Sequence, residues 1–288
     1  VLESFLAWVM DKLGLGYDAV REIKPDIIYC SISGYGQKGM FSSLGSHDLN
    51  YLAISGVLAQ LKGEDGKPVH PTITLADFAG GLAANERILA GLVSRALTGM
   101  GSYHSIAIAD VMASLMGNHV LIEKETGEHD GISSLSGSVI SYAIYETKDG
   151  RYVSLAALEP KFWQNFCRAV QREDWFDAHF STTNDRNPVF IEMKVLFKSR
   201  TFEEWIGFGQ DVDCCLAPVL KAGELQSFPY FIEKKIVFSD CQLKLHSDME
   251  GLSSTPPPKK GEHSETILKE LLKVSEDKVR EWKEIGII

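Results

Sequence analysis

Apolar residues recur along this chain in two rhythms, and the alternation between them predicts its architecture. Leu2, Phe5, Leu6, Val9, Met10 and Leu13 follow an i, i+3, i+4 spacing, which predicts an amphipathic helix ended by Gly14 or Gly16. The run DIIYCSISGYG (26–36) is β-branched, continuously apolar and bounded by Pro25 and Gly34, as a buried parallel strand requires. An apolar, helix-like stretch follows at 51–61, then the polar turn GEDGKP. Leu82, Ile88, Leu89, Leu92 and Val93 carry a helical pattern from Asp77 to about residue 97, where TGMG breaks it. HSIAIADVMASLMG then reads as a strand running straight into a helix. Apolar strands alternating with helices predict an α/β layer built on a parallel sheet.

The texture changes near residue 125. GEHDGISSLSGS is a polar Gly/Ser connection, and VISYAIYETKDGRYVSLAAL shows two β-rich runs around a Lys-Asp-Gly-Arg turn, a hairpin signal. In TFEEWIGFG, Thr201 and Glu204 form a capping box. These patterns predict a large α/β domain (1–125), a linker (126–140), a small α+β domain (141–235) and a second linker (236–262) stiffened by STPPPKKGEHS. The last segment, 263–288, is predicted to be helical and to return to the large domain. There Ser264 would cap an amphipathic helix carrying Ile267, Leu268, Leu271 and Leu272. No internal repeat is visible.

Composition narrows the function. With 288 residues, 44% of them hydrophobic, the chain can bury a core for two domains. A formal charge of −10 and the lack of any basic tract argue against nucleic acid or an anionic membrane surface as partner. A small anionic ligand stays compatible, since a helix N-terminus or a few cations suffice for it. No run of 18 uncharged apolar residues occurs, so no membrane span is expected. Cys30, Cys167, Cys214, Cys215 and Cys241 show no CxxC spacing and read as free thiols of a reducing cytoplasm. The first residues lack an initiator Met and a basic segment, and they carry Glu3 and Asp11. They therefore read as the interior of a folded domain, and the chain as a fragment, not as a signal peptide. No metal-ligand cluster and no GxGxxG or GxxxxGK[ST] signature is present, so neither a metal nor a nucleotide cofactor is expected.

Candidate chemistry sits in GSHDLNYLAISGVL (45–58) and LADFAGGLAANERIL (75–89). Asp77 opens an apolar helix, where an acid can be a simple N-cap worth ~1 kcal/mol. Gly80 and Gly81 follow it, and glycine there costs roughly 0.5–1 kcal/mol each. That cost makes sense where a ligand must reach the backbone and its free N–H groups. His47 reads first as a surface or satisfied histidine, with acid/base work the alternative, and Asp48 equally as the cap of the helix that follows it. Spacing alone leaves both open.

In this order, the SHD loop, NYLAISGVL and LADFAGG resemble the family III CoA-transferase fold, and within it the alpha-methylacyl-CoA racemase branch. KLGLGYD, PDIIYCSISGYGQ, TGMGSYHSIAIADVMASL, YETKDGRYVSLAALEPKFW and GEHSETIL extend the match over nearly the whole chain. The resemblance implies a parallel-sheet large domain, a smaller α+β domain and an interlocked homodimer. It implies a two-base 1,1-proton transfer on a 2-methylacyl-CoA thioester, with His47 and Asp77 on opposite faces of the α-carbon. Each such group contributes typically ~10²–10⁴-fold. Backbone N–H groups at 77–80 would then stabilise the enolate-like oxygen. By the same resemblance Glu159 hydrogen-bonds the histidine, from the same subunit or the other; on the residues alone it is a first-turn acid before Pro160. Tyr51, Asp48, Tyr35, Gln37, Lys12, Gly80 and Gly81 are implied to contact CoA or substrate, and no cofactor is implied beyond the CoA of the substrate.

Departures from the family pattern bear on this. Members begin earlier, with a strand–helix unit that supplies much of the CoA pocket. Leu6 stands near the place of a usual arginine, and SHD replaces GHD. The alternative activity is CoA transfer between carboxylic acids with Asp77 as nucleophile. The glycine run of many transferases is absent from GISSLSGS, and they usually lack the histidine. A non-catalytic remnant is the third reading.

Overall fold

The computed structural model of the chain describes residues 1–63, 65–236 and 258–288. These divide into two compact units, Val1–Pro218 and Val219–Ile288. In chain order the first unit holds β1 (Leu2–Glu3), α1 (Val9–Lys12), α2 (Tyr17–Ile23), β2 (Ile28–Ser33), α3 (Asp48–Ile54), α4 (Val57–Gln60), α5 (Leu75–Thr98), β3 (Ser102–Ala107), α6 (Ile108–Ser114) and α7 (Gly117–Thr126). It continues with β4 (Tyr142–Glu146), β5 (Tyr152–Ala156), α8 (Pro160–Ala169), α9 (Pro188–Phe197), α10 (Phe202–Asp211) and β6 (Leu216–Pro218).

The apolar run predicted as a buried strand is the middle of a parallel sheet ordered β1-β2-β3. Leu2 faces Cys30, and Cys30 faces His104 in the register. Ile28, Tyr29, Cys30 and Ser31 are all buried, as expected of a strand covered on both faces. The long helix α5 packs on β2 and β3. It comes close because Gly91 faces the sheet: a Cβ there would lie 2.7 Å from His104 Nε2 and 3.2 Å from Ile28 Cγ2. Cys30, Ala84 and Ile106 fill this interface, while Tyr51, Leu52, Ala76, Ile108, Ala109 and Met112 form a second apolar cluster. Strand β3 passes directly into α6, as its sequence predicts.

A second, antiparallel sheet has the order β4-β5-β6. The predicted hairpin is present, with Gly150 at φ 72° and Asp149 Oδ1 accepting from Thr147 Oγ1 (2.6 Å) and Phe202 N–H (3.0 Å). Trp163, Trp175, Trp205, Tyr145, Phe166 and Phe197 make an aromatic core beside it. Tyr145 stacks on Phe197 at 4.2 Å and donates its hydroxyl to Ile140 O at 2.6 Å; burial pushes its phenol far above the usual range. The capping box forms as read: Thr201 N–H donates to Glu204 Oε2, and Glu204 N–H donates to Thr201 Oγ1. Cys30, Cys167, Cys214 and Cys215 are free thiols, the first three buried; burial pushes Cys167 and Cys214 up to about 12.

The second unit contains α11 (Pro229–Glu233), α12 (Ser264–Thr266), a π-helical turn Ile267–Leu271 and α13 (Glu276–Glu284). Most of the predicted linker 236–262, and Cys241, lie outside the described residues.

Two sequence expectations are corrected. The amphipathic helix expected over 2–13 is only α1, because Leu2 and Glu3 instead pair with β2 and Trp8 turns the chain at φ 71°. Ladder bonds to the central strand outcompete a local helix there. The helix expected from Ser264 is a short α-turn and a π-turn ended at Lys273 (φ 54°), and a separate helix follows Ser275. Ser264 begins that turn without acting as its side-chain cap. Among the described residues no helix is long and apolar enough to cross a membrane.

Gly101, where the chain enters β3, tests the close packing of this layer. A Cβ there would lie 2.6 Å from both Ile27 N and Asp26 C, which are backbone atoms and cannot swing away. Gly101→Ala is expected to cost about 1–3 kcal/mol in urea unfolding. Gly81→Ala, whose Cβ meets open space on α5, is expected to be neutral or stabilising by up to about 1 kcal/mol.

Candidate active site

Strand β2 delivers the chain into Gly34, Tyr35 and Gly36, and the loop beyond ends at α3. Gly34 is required by close approach: a Cβ would sit 2.5 Å from the Tyr51 ring and hydroxyl. Tyr51 is 5% exposed, accepts from Ser46 Oγ at 2.9 Å and meets Tyr35 edge-on at 5.7 Å. It therefore braces the loop from inside. Its buried ring offers little surface to a ligand.

His47 is the N-cap of α3, with extended backbone (φ −138°, ψ 172°). Its N–H donates to Asn50 Oδ1 at 3.0 Å and its carbonyl accepts from Asn50 N–H at 2.8 Å, so Asn50 secures the turn and leaves the imidazole exposed. Asp48, the next residue, does not cap its own helix. Its Oδ2 accepts from Ala76 N–H at 2.7 Å and from Asp77 N–H at 3.0 Å, at the start of α5. One carboxylate oxygen thus ties two helix N-termini together.

Asp77 is the third residue of α5 and not its cap, a position held by Thr74. Its exposed carboxyl is pushed above the ordinary 3.8 by partial loss of water and by the negative charge of Asp48, while His47 pulls it down. His47 and Asp77 are therefore close enough to feel each other's charge.

The expected oxyanion donors are not free. Leu75 N–H is bonded to Ile73 O, Ala76 and Asp77 N–H to Asp48, and Phe78 N–H to Thr74 O. Ala79 and Gly80 lie inside the helix. Gly80 is also explained by packing: it is buried, and a Cβ would come 2.9 Å from Ile108 Cγ1. Gly81 is exposed with open space around it.

The other predicted residues are spread around this centre. Tyr35 lines a cavity of about 230 Å³ with Lys38, Met40, Phe41 and Asp110. Gln37 lines another of about 240 Å³ with Tyr17, Tyr29, Tyr103 and Glu3, and Lys38 borders both. Lys12 is exposed on α1 and is absent from both linings. Glu159 is the exposed N-cap of α8 with Pro160 behind it, and it lies near Cys215, whose thiol is raised by burial and then by the Glu159 charge. Among the described residues no hydrogen bond joins Glu159 to His47 within one chain. Sequence reasoning missed Ser46 and Lys38. It also gave Asp48 the wrong helix to cap, because nothing local marks a partner 28 residues away.

Residues 1–263 match the family model described as CoA-transferase family III. The chain belongs to this family. It is 30% identical to the alpha-methylacyl-CoA racemase of Mus musculus over 94% of this chain and 74% of the relative. It is 25% identical to the succinyl-CoA:glutarate CoA-transferase of Homo sapiens, over 100% of this chain and 69% of that one. A crystal structure of a CAIB/BAIF family protein from Brucella suis superposes with a TM-score of 0.73 at 23% identity, over 94% of this chain and 75% of that chain, and shares the fold. The chain is thus an acyl-CoA enzyme of the family III superfamily, with racemase and transferase relatives at similar identity.

The geometry sets two stability outcomes. Asp48→Ala removes the shared acceptor of two N–H groups and is expected to cost about 2 kcal/mol, measured by urea unfolding at pH 7. Asp77→Asn is expected to raise stability at pH 7. The folded state holds the Asp77 proton more tightly than the unfolded chain does. Between the unfolded and folded values of this group the folded protein binds more protons, so its charge lowers stability as pH rises through that window. The Tm advantage of Asp77→Asn should therefore be present at neutral pH and vanish below the ordinary 3.8.

Proposed function

We propose that this protein interconverts the two configurations of a 2-methylacyl-CoA thioester by two-base 1,1-proton transfer, with His47 and Asp77 as the acid/base pair. The observation that carries the reading is the Asp48 bridge, which ties the helix start that bears Asp77 to the helix start that bears His47. One group removes the α-proton while the other delivers a proton to the opposite face. The raised proton affinity of Asp77 suits this work, because a base is more effective as its pKa approaches the working pH. Sequence identity to the racemases over 94% of the chain supports the same substrate class. In this reading Tyr35, Gln37 and Lys12 serve the CoA arm and Tyr51 braces the pocket. Glu159 orients His47 across an interlocked homodimer, and the enzyme works in the cytoplasm without a cofactor beyond the CoA of its substrate.

A second reading uses the same carboxylate. The CoA-transferase relative aligned over 100% of the chain favours it, as does the exposure of Asp77. Asp77 would attack the thioester carbonyl, expelling CoA thiolate and forming a mixed anhydride. The thiolate would then attack the aspartyl carbonyl, releasing the first acid and leaving an enzyme thioester for the acceptor acid.

Incubating one enantiomer of a 2-methylacyl-CoA with the protein in D₂O, without an acceptor acid, separates the two. Deuterium gain at C2 with loss of optical purity is expected. His47→Ala should make exchange one-sided or abolish it, with at least about a 10²-fold loss of turnover, and Asp77→Ala should do the same from the other face. CoA transfer on adding a free carboxylic acid, with no deuterium gain, would overturn the racemase reading.

A further inference from the structure

We infer that the Asp48 carboxylate is a positioning group of the active site: it locks the first turn of α5 onto the first turn of α3 and so fixes the backbone of Asp77 relative to that of His47. The inference rests on the proposed racemase reading for its catalytic consequence and on geometry for the rest. Asp48 follows His47 directly, while Asp77 itself donates the second N–H to Asp48 Oδ2. Each reacting residue is thus tied through its backbone to the same carboxylate, His47 by the chain and Asp77 by its N–H. Ala76, the other donor, is fully buried in the cluster beneath the site, which anchors the bridge to the core. Oδ2 already carries two hydrogen bonds to the protein, so that oxygen has little left to give a substrate.

The bridge also brings a charge. Asp48 lies beside Asp77 at a distance where like charges repel, which disfavours ionisation of Asp77 and strengthens it as a base. The other elements packed on α5 supply little that competes. β2 carries no charged residue, His104 of β3 is bonded to Ser102, and Asp110 of α6 lines the cavity beside Tyr35 and Lys38. On α5, Glu86 and Arg87 lie more than two turns further along. His47 and Asp48 are the two charges that act on Asp77.

Two readouts test this, one of them independent of turnover. Carboxyl ¹³C NMR of aspartate-labelled chain, with Asp77→Asn to assign the signal, follows the titration of Asp77 directly. Asp48→Asn, which keeps the shape but not the charge, should move that midpoint to lower pH. The acid-side limb of the exchange rate against pH should move the same way, since it reports ionisation of the base. kcat should fall modestly with KM within about threefold, as expected of a weakened base that is still held in place. Asp48→Glu keeps the charge and displaces the hydrogen bonds; it should retain a high midpoint yet lose kcat. An Asp77 midpoint unchanged in Asp48→Asn with kcat intact would overturn the inference, and a rise in KM alone would make Asp48 a ligand contact. If the parent protein shows no exchange, the racemase reading fails, while the carboxyl titration still decides what Asp48 does to Asp77.

Discussion

The site depends on one oxygen atom shared by two backbone N–H groups. Helix starts leave N–H groups without partners, and each is usually satisfied by a side chain one residue before its own helix. Here the acceptor for α5 comes from the first residue of α3. The exchange turns an ordinary capping requirement into a tether between segments far apart in sequence. It also concentrates negative charge, Asp48 and Asp77, where the α5 dipole is positive. That dipole favours each acid by about 0.3–1 kcal/mol, which limits but does not cancel their mutual repulsion. The outcome is an aspartate whose backbone is held in place and whose carboxyl is more basic than usual.

The elements that sequence rhythm predicted are those whose determinants are local or continuous. β2 is buried along Ile28–Ser31, with α5 packed on it and Tyr17 of α2 against Tyr29, and its run of Ile, Tyr and Cys says so directly. The β4–β5 hairpin and the Thr201 capping box depend on residues a few positions apart, within reach of a local pattern. The first segment fails for the opposite reason. Its i, i+3, i+4 spacing is compatible with a helix, but the choice belongs to Cys30 and Ser31, the register partners of Leu2 and Glu3 in β2. Periodicity carries no information about a partner strand.

The candidate site was legible in the same partial way. His47 and Asp77 stand out as polar residues at helix mouths, and the family motif gives them a role. Their relation runs through Asp48 to Ala76 and Asp77, which no spacing rule contains. Gly80 shows the converse error. Two glycines after an acid looked like room for a ligand, yet one of them is the contact that lets α5 lie against Ile108 of α6. A glycine marks close approach in sequence; only the fold says what approaches.

The same carboxylate could serve as base or as nucleophile, and greater basicity assists both roles. The histidine separates them. Anhydride formation and thioester exchange need an aspartate, an acyl carbonyl and a thiolate, with no proton to be moved at the α-carbon. An exposed imidazole fixed at the N-cap of α3, near enough to act electrostatically on Asp77, has no necessary part in that sequence. In stereoinversion it has one, because a proton removed from one face must be replaced from the other by a second group of suitable proton affinity. The loop uses Ser46, Asn50 and buried Tyr51 to hold its turn, so the backbone that carries the imidazole is braced. A braced backbone beneath His47 suits the proposed stereoinversion, in which the imidazole must be presented to one face of the carbon.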